Sequence, residues 1–216
     1  MDRSAWERLG DELRALDRWG DFGAGKTRTT STGLHPASIM FNGGVPLEHF
    51  PVYVPALLRA LDELTGSGEL ETVVRVVTKK GLKGVTGKLV DLFTREDLVH
   101  EHNLLWAAGN AIYHIAPRDY LNECLRICRN RRLGYSRQRL IVHLSRFKKS
   151  EEVFQTLLSL LEDESVRGAA LEALKRYGDV RALPAIQRTP VRGGDEGVYE
   201  AHQKMMALKK LSEKLV

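Results

Sequence analysis

Apolar residues recur along most of the chain at intervals of three and four, which is the spacing of one face of an α-helix. Near the start, Trp6, Leu9 and Leu13 follow this spacing and predict an amphipathic helix over residues 5–19. From about Phe50 onward, one such segment follows another, and glycines lie near the ends of several of them. No segment shows the strict apolar and polar alternation of a strand. The pattern therefore predicts an all-α protein.

Two stretches have the sequence of a capping box, in which a serine or threonine and an acidic residue three positions later satisfy the free amides of a helix start. Ser4 and Glu7 precede the first apolar stripe. Thr94 and Asp97 precede the stretch DLVHEHNLLWAAGNAIYHI. The sequence therefore predicts one helix start at Ser4 and a long helix that runs from near Asp97 to Ile115.

Similar helix pairs repeat along the second half of the chain. The stretch SEEVFQTLLSLLEDESVRGAALEALKRYGD, residues 150–179, predicts a helix, a short polar turn and a second helix, and VRALPAIQ opens the next unit. Aligning the apolar positions of neighbouring units places Arg137 over Arg167, 30 residues later. A period of this size indicates stacked helical hairpins, because one helix pair cannot bury its apolar face alone.

The stretch DESVRGAALEALKRYGDVRALPAI, residues 163–186, carries a specific set of small, apolar and turn residues. They are Val166, Arg167, Ala169, Ala170, Leu171, Ala173, Leu174, Gly178, Asp179, Ala182, Leu183, Pro184 and Ile186. At these positions the chain resembles a HEAT-like repeat of the bacterial, phycobilin-lyase-associated type. The resemblance implies an all-α, right-handed α-solenoid of HEAT-like helix pairs over residues 50–216, with a capping helix and a long glycine-rich loop over residues 1–49. It also implies that Arg167 forms structural hydrogen bonds between repeats.

Residues 20–46 interrupt the helical pattern with six glycines, two prolines and the polar run TRTTST. A loop of this length is either functional or mobile, and both interpretations stay open. Within it, GDFGAGKT at residues 20–27 satisfies the phosphate-binding pattern G-x-x-x-x-G-K-S/T. That pattern needs a strand before it and a helix after it, whereas here a helix precedes it and RTTSTGLHP follows. We interpret it as a chance match, so a nucleotide is not predicted, and an anion-binding or partner-ordered loop is the alternative.

The positive charge of the chain is concentrated in one segment. Nine basic residues and no acidic residue lie between Arg126 and Lys149. Since the formal net charge is +5, the rest of the chain carries −4. Electrostatic arguments about partners therefore start from this segment. Its basic residues are Arg126, Arg129, Arg131, Arg132, Arg137, Arg139, Arg146, Lys148 and Lys149.

The two cysteines, Cys124 and Cys128, lie four residues apart inside a predicted helix. This spacing puts both on one helix face beside Leu121 and Leu125, where a free cysteine behaves as a small apolar residue. No further cysteine is available to complete a metal site. We therefore predict two buried free thiols.

In a helical repeat, the second helices line one side of the stack, and their equivalent positions form a ladder of side chains. Residues three and four apart share a helix face, so Arg139, His143 and Arg146 are predicted to be exposed together. Arginines of the preceding helix and turn extend this surface, which we call the basic face. We predict that it binds a partner. Its residues are Trp106, Asn110, His114, Arg126, Arg129, Arg131, Arg132, Arg139, His143, Arg146 and Arg176.

Three explanations of the basic face stay open: a solvated surface, a docking site for an acidic protein segment, and a nucleic-acid site. The nucleic-acid alternative includes the HEAT-like DNA glycosylases that excise alkylated bases. Such an enzyme needs aromatic residues beside a carboxylate. Trp106 and Tyr113 have no acidic neighbour at helical spacing except Glu101 and Glu123 at a distance. The favoured prediction is a non-catalytic HEAT-repeat scaffold that captures a protein partner, with nucleic-acid binding as the alternative.

Metal and membrane sites are not predicted. HEAT-like deoxyhypusine hydroxylases bind iron through repeated His-Glu pairs, and the single pair His100 and Glu101 cannot complete a two-iron site. No apolar run approaches the roughly 20 residues of a membrane helix, and the acidic start MDRSAWERLGDEL does not resemble a secretory signal. The sequence therefore predicts a soluble, cytoplasmic protein without cofactor or metal that binds a partner with an acidic surface.

Overall fold

The computed structural model describes residues 4–16, 49–78, 82, 84–115 and 118–215. Over these residues the protein contains eleven α-helices, five short 3₁₀-helices and no strand, which confirms the prediction of an all-α helical repeat fold. None of the described helices is long and apolar enough to cross a membrane. The α-helices are α1 (Ala5–Leu16), α2 (Val54–Glu63), α3 (Ser67–Val76), α4 (Val85–Leu92), α5 (His102–Ile115), α6 (Leu121–Arg129), α7 (Gln138–Leu144), α8 (Glu151–Ser159), α9 (Arg167–Tyr177), α10 (Leu183–Arg188) and α11 (Gly194–Ser212).

Several sequence predictions fall outside the described residues. They are the long loop over residues 20–46, the phosphate-binding pattern at residues 20–27 and the last predicted turn of α1, residues 17–19. The division of the chain at residue 49 stays a prediction.

The first compact unit, Met1–Ile115, holds α1 to α5. Its first helix begins at the predicted capping box: the Glu7 amide donates to Ser4 Oγ at 3.2 Å, and the Ser4 amide donates to Glu7 Oε2 at 3.0 Å. Leu9 and Leu13 are buried, and α1 packs against α2. Helices α3 and α4 in turn pack against α5.

The second predicted capping box is wrong. Thr94 Oγ1 donates to the carbonyl oxygen of Asp91 at 2.7 Å, and the Asp97 carboxylate pairs with Arg95. The threonine therefore satisfies a carbonyl near the end of α4, where a helix leaves its last carbonyls free, and does not start a new helix. A short 3₁₀-helix, Glu96–Leu98, follows, and α5 begins only at His102.

The second compact unit, Ala116–Val216, contains three helix pairs: α6 with α7, α8 with α9, and α10 with α11. The second helices contact one another in order, α7 with α9 and α9 with α11. Ala170 and Ala173 are fully buried, as expected where small side chains let helices approach closely. Gly168 also allows a close approach, because a Cβ atom there would lie 2.5 Å from Cε1 of Tyr199 on α11.

Within the second unit, a buried arginine links the first helix pair, α6 and α7, to the second pair, α8 and α9. Arg137 lies at the start of α7 and is fully buried. Its guanidinium donates to the carbonyl oxygen of Cys128 at 2.8 Å within its own pair. It also donates to Asp163 Oδ2 at 2.7 Å and to Ser165 Oγ at 3.0 Å in the next pair. Arg137 therefore lies in the core, so its charge does not contribute to an exposed surface although it belongs to the basic segment.

Arg167 has the equivalent place at the start of α9, and it is also buried. Its Nε donates to the carbonyl oxygen of Leu161 at 3.0 Å within its own pair. Its Nη1 lies 3.6 Å from Oε2 of Glu200, a fully buried residue of the next pair. Arg167 therefore contacts the next pair through an ion pair, whereas its described hydrogen bond lies within its own pair. Hydrogen bonding by Arg167 between repeats stays a prediction.

Candidate docking pocket

A pocket of about 770 Å³ opens in the second unit. Its lining comes from the start of α6, the end of α7 and the turn that leads to α8. The volume lies within the range of sites that enclose a small ligand. We call this site the docking pocket. It is lined by Arg118, Leu121, His143, Arg146, Phe147, Lys148, Lys149 and Ser150.

The turn over residues 145–150 is held at both ends. At its start, the Phe147 amide donates to the carbonyl oxygen of Leu144 at 3.0 Å, and the Ser150 amide then donates to the carbonyl oxygen of Phe147 at 3.1 Å. At its end, Ser150 Oγ accepts a hydrogen bond from the Val153 amide at 3.2 Å and so caps α8. The basic side chains of the turn are therefore carried on a fixed backbone.

Among the described residues of the lining, four are cationic and none is acidic. Lys148 and Lys149 are exposed neighbours on the turn, and Arg118 is exposed just before α6. Among the described residues, these three side chains form no ion pair. Positive charge gathered in a concave site produces a potential that attracts anions.

The two carboxylates that follow Ser150 are engaged away from the docking pocket. Glu151 Oε2 lies 2.9 Å from Arg181 Nη2, and the hydrogen bond from Arg181 holds the pKa of Glu151 below its ordinary value. Glu152 Oε1 accepts a hydrogen bond from Arg129 Nη2 at 3.0 Å. Neither carboxylate is part of the pocket lining.

The prediction that His143 is exposed is wrong, because only 1% of its surface is accessible. Helix α7 packs against both α6 and α9, so residues all around it are covered. The imidazole packs edge-on against Phe147, with ring centroids 5.5 Å apart. Its Nδ1 lies 3.3 Å from Arg146 Nη1. Since a guanidinium can only donate, Nδ1 is the acceptor, and this bond orients Arg146 at the pocket.

Carboxylates of the second unit also pair with two other predicted arginines of the basic face. Arg129 pairs with Glu152, and it also donates to Thr156 Oγ1 at 2.7 Å. Arg176 Nη2 lies 2.6 Å from Glu172 Oε1. The basic face therefore carries less uncompensated charge than the sequence suggests.

The docking pocket includes only two of the predicted partner-binding residues, His143 and Arg146. Of the others in the second unit, Arg126, Arg131 and Arg132 are exposed and Arg139 is half-buried, and none of them lines this pocket. Their role as contacts stays a prediction.

The remaining predicted residues lie on α5 in the first unit. Trp106 and Asn110 are half-buried, and His114 is exposed. The His114 ring packs edge-on against Tyr113, with centroids 5.4 Å apart. Whether these residues bind a partner stays a prediction.

Several residues of the docking pocket have no assignment in the sequence analysis. Lys148 and Lys149 belong to the basic segment, and their charge was the available signal. Arg118 and Leu121 lie before that segment, and Phe147 is an apolar position of the repeat pattern. Only the folded backbone brings them to the same pocket.

The predicted buried thiols are confirmed: Cys124 and Cys128 are both free and buried. Burial, with a smaller effect of Glu123, raises the pKa of Cys124 to about 12, and burial raises the pKa of Cys128 well above its ordinary value. Thiolates are the reactive form, so neither thiol should react with a disulfide reagent in the native protein. We expect full labelling only in urea, and rapid labelling without urea would contradict the described packing.

The described residues include no group of three or more His, Cys, Asp or Glu side chains that could hold a metal ion.

Comparison with protein families gives one match in this unit. Residues 166–188, which cover α9 and α10, match the PBS lyase HEAT-like repeat. No curated protein and no solved structure matches the chain. Part of the second unit is therefore a HEAT-like repeat of the phycobilin-lyase type.

Proposed function

We propose that this protein is a non-catalytic HEAT-like scaffold module that captures an acidic segment of a protein partner in the docking pocket. The observation that carries the proposal is the described pocket lining, in which four cations and no carboxylate accompany Leu121 and Phe147. An acidic segment complements this charge, and its apolar side chains complement the two apolar residues.

The arrangement of charge favours a protein over a nucleic acid. A nucleic acid gains affinity from a row of cations that follows many phosphates. Here Arg129, Arg137 and Arg176 pair with carboxylates of the fold, which shortens any such row. Lys148 and Lys149, which pair with no carboxylate in the described part of the chain, instead lie together at one concave site, which suits a short segment.

Lys148→Glu combined with Lys149→Glu is expected to weaken binding of acidic peptides at least about tenfold, because reversal replaces attraction by repulsion. The probe is a labelled pool of short peptides in which Asp and Glu alternate with randomised positions. Fluorescence anisotropy at low and at physiological salt measures the binding, and thermal unfolding checks that the variant is folded.

The matched control is Lys209→Glu combined with Lys210→Glu, since these are also adjacent, exposed lysines and lie on α11. An equal loss of affinity for the acidic peptides in both double variants would show that only net charge matters and would overturn the pocket assignment. Duplex and single-stranded DNA form the third arm. Wild-type protein that binds DNA with a steep salt dependence but ignores the acidic peptides would replace the proposal with nucleic-acid binding.

A further inference from the structure

The docking pocket carries more positive charge than one carboxylate side chain can balance. Arg118, Arg146, Lys148 and Lys149 all line it. A single aspartate or glutamate carries one negative charge, whereas a phosphorylated side chain carries about −1.5 to −2 at neutral pH. A phosphoryl group therefore matches the charge of this pocket better than a carboxylate does.

The hydrogen-bond donors of the pocket also suit a phosphoryl group. Such a group presents three strong acceptor oxygens, and an arginine near lysines can donate to several of them at once. Arg146 Nη1 lies 3.3 Å from His143 Nδ1, and this contact orients the guanidinium at the pocket. Ser150 Oγ accepts from the Val153 amide, and its own hydroxyl hydrogen is a further donor in the pocket lining.

The apolar residues of the pocket indicate that the phosphoryl group belongs to a peptide. Leu121 and Phe147 are half-buried in the lining, and free phosphate would leave their exposed surface uncovered. Carbon atoms of a peptide side chain or its neighbours would cover them. A pocket of about 770 Å³ has room for more than the phosphoryl group alone.

Building on the proposed function, we propose that the docking pocket recognises a phosphorylated side chain within the acidic segment of the partner. The phosphoryl oxygens accept hydrogen bonds from Arg118, Arg146 and the two lysines, and the Ser150 hydroxyl contributes a further bond. Leu121 and Phe147 contact the carbon atoms around it. Phosphorylation of the partner would then control capture by this scaffold.

Three matched peptide pools test this inference, with serine, glutamate or phosphoserine at one fixed central position and the same acidic flanks. We expect the phosphoserine pool to bind wild-type protein about tenfold more tightly than the serine pool, with the glutamate pool in between. Lys148→Gln combined with Lys149→Gln should remove most of this preference. Lys209→Gln combined with Lys210→Gln should keep it.

Two substitutions at one position separate pocket chemistry from folding. Aspartate and asparagine cap a helix about as well as serine, so Ser150→Asp and Ser150→Asn both preserve the start of α8. Ser150→Asp adds a negative charge to the pocket and should abolish the phosphoserine preference, whereas Ser150→Asn keeps a donor and should retain it. Equal preference in the two variants would overturn the inference.

The outcomes separate the two proposals. If all three pools bind wild-type protein equally and the lysine reversal weakens them all, phosphate recognition fails and acidic capture stands. If no pool binds, both fail. If inorganic phosphate displaces the phosphoserine pool at the pool's own concentration, the pocket is a simple anion site and the peptide part of the inference fails.

Discussion

Arg137→Ala is expected to lower the free energy of unfolding by about 3–5 kcal/mol, measured by urea denaturation near neutral pH. The guanidinium is fully buried and donates to carbonyl, carboxylate and hydroxyl oxygens of two helix pairs. Its loss leaves the partly buried carboxylate of Asp163, whose side chain is 11% exposed, without its cation. Breaking one side of a buried pair costs far more than the intact pair contributes.

The pH dependence gives this prediction a second signature. Burial opposes ionisation of Asp163, but hydrogen bonds from Arg137 and Ser165 hold its pKa below the ordinary value of 3.8. Because the folded pKa is the lower one, the stabilisation is complete above the ordinary value and is lost as pH falls through the folded one. The difference in the free energy of unfolding between wild type and Arg137→Ala should therefore be constant near neutral pH and should become smaller below about pH 4.

The control is Arg129→Ala, which removes an ion pair whose side chains are 48% and 57% exposed. Such a pair contributes at most about 1 kcal/mol. A loss of stability as small for Arg137→Ala as for Arg129→Ala would show that Arg137 is hydrated in solution and does not connect the helix pairs.

Glu200→Ala is expected to lower the free energy of unfolding by about 3 kcal/mol, again measured by urea denaturation. Glu200 is fully buried, and it accepts hydrogen bonds from Arg192 Nε at 2.8 Å and from the Arg192 amide at 3.1 Å. It also faces Arg167. The effect lies at the lower end for a buried pair, because Glu164 Oε1 remains 3.7 Å from Arg167 Nη2.

The matched control is Glu164→Ala, since this side chain is 70% exposed and pairs with the same arginine. It should cost less than about 1 kcal/mol. Glu200→Gln keeps the shape of the side chain and some of its acceptor capacity. Its loss in free energy of unfolding should therefore lie between the losses of the two alanine variants. Equal costs for Glu200→Ala and Glu164→Ala would contradict the burial of the Arg167 and Glu200 pair.

Much of the fold follows from local patterns of the sequence. Ser4 and Glu7 lie three residues apart, so their reciprocal bonds need only the first helical turn. The alignment of Arg137 with Arg167 correctly predicts two equivalent arginines, because helix pairs of similar length repeat their contacts. The prediction of a helix start at Thr94 is wrong because a threonine hydroxyl can bond near the end of one helix as well as at the start of another.

The docking pocket follows from the sequence only in part. Spacing shows that Arg139 and His143 share a helix face, but it does not show which neighbours cover that face, and His143 is buried. Arg118 lies outside the basic segment, so its charge gave no reason to join it to Arg146. Pockets arise from the packing of elements that are distant in sequence, and no periodic pattern encodes that packing.

The buried contacts of Arg137 and Arg167 limit how the helix pairs of this chain can be deleted or rearranged. Arg137 and Arg167 each donate a hydrogen bond to a carbonyl oxygen of their own helix pair, and each pairs with a carboxylate of the following helix pair. The carboxylates differ, since Asp163 lies in a turn and Glu200 lies within α11. Deleting or transposing one pair would separate an arginine from its acid, so the order of these pairs is constrained by their polar contacts as well as by their shape.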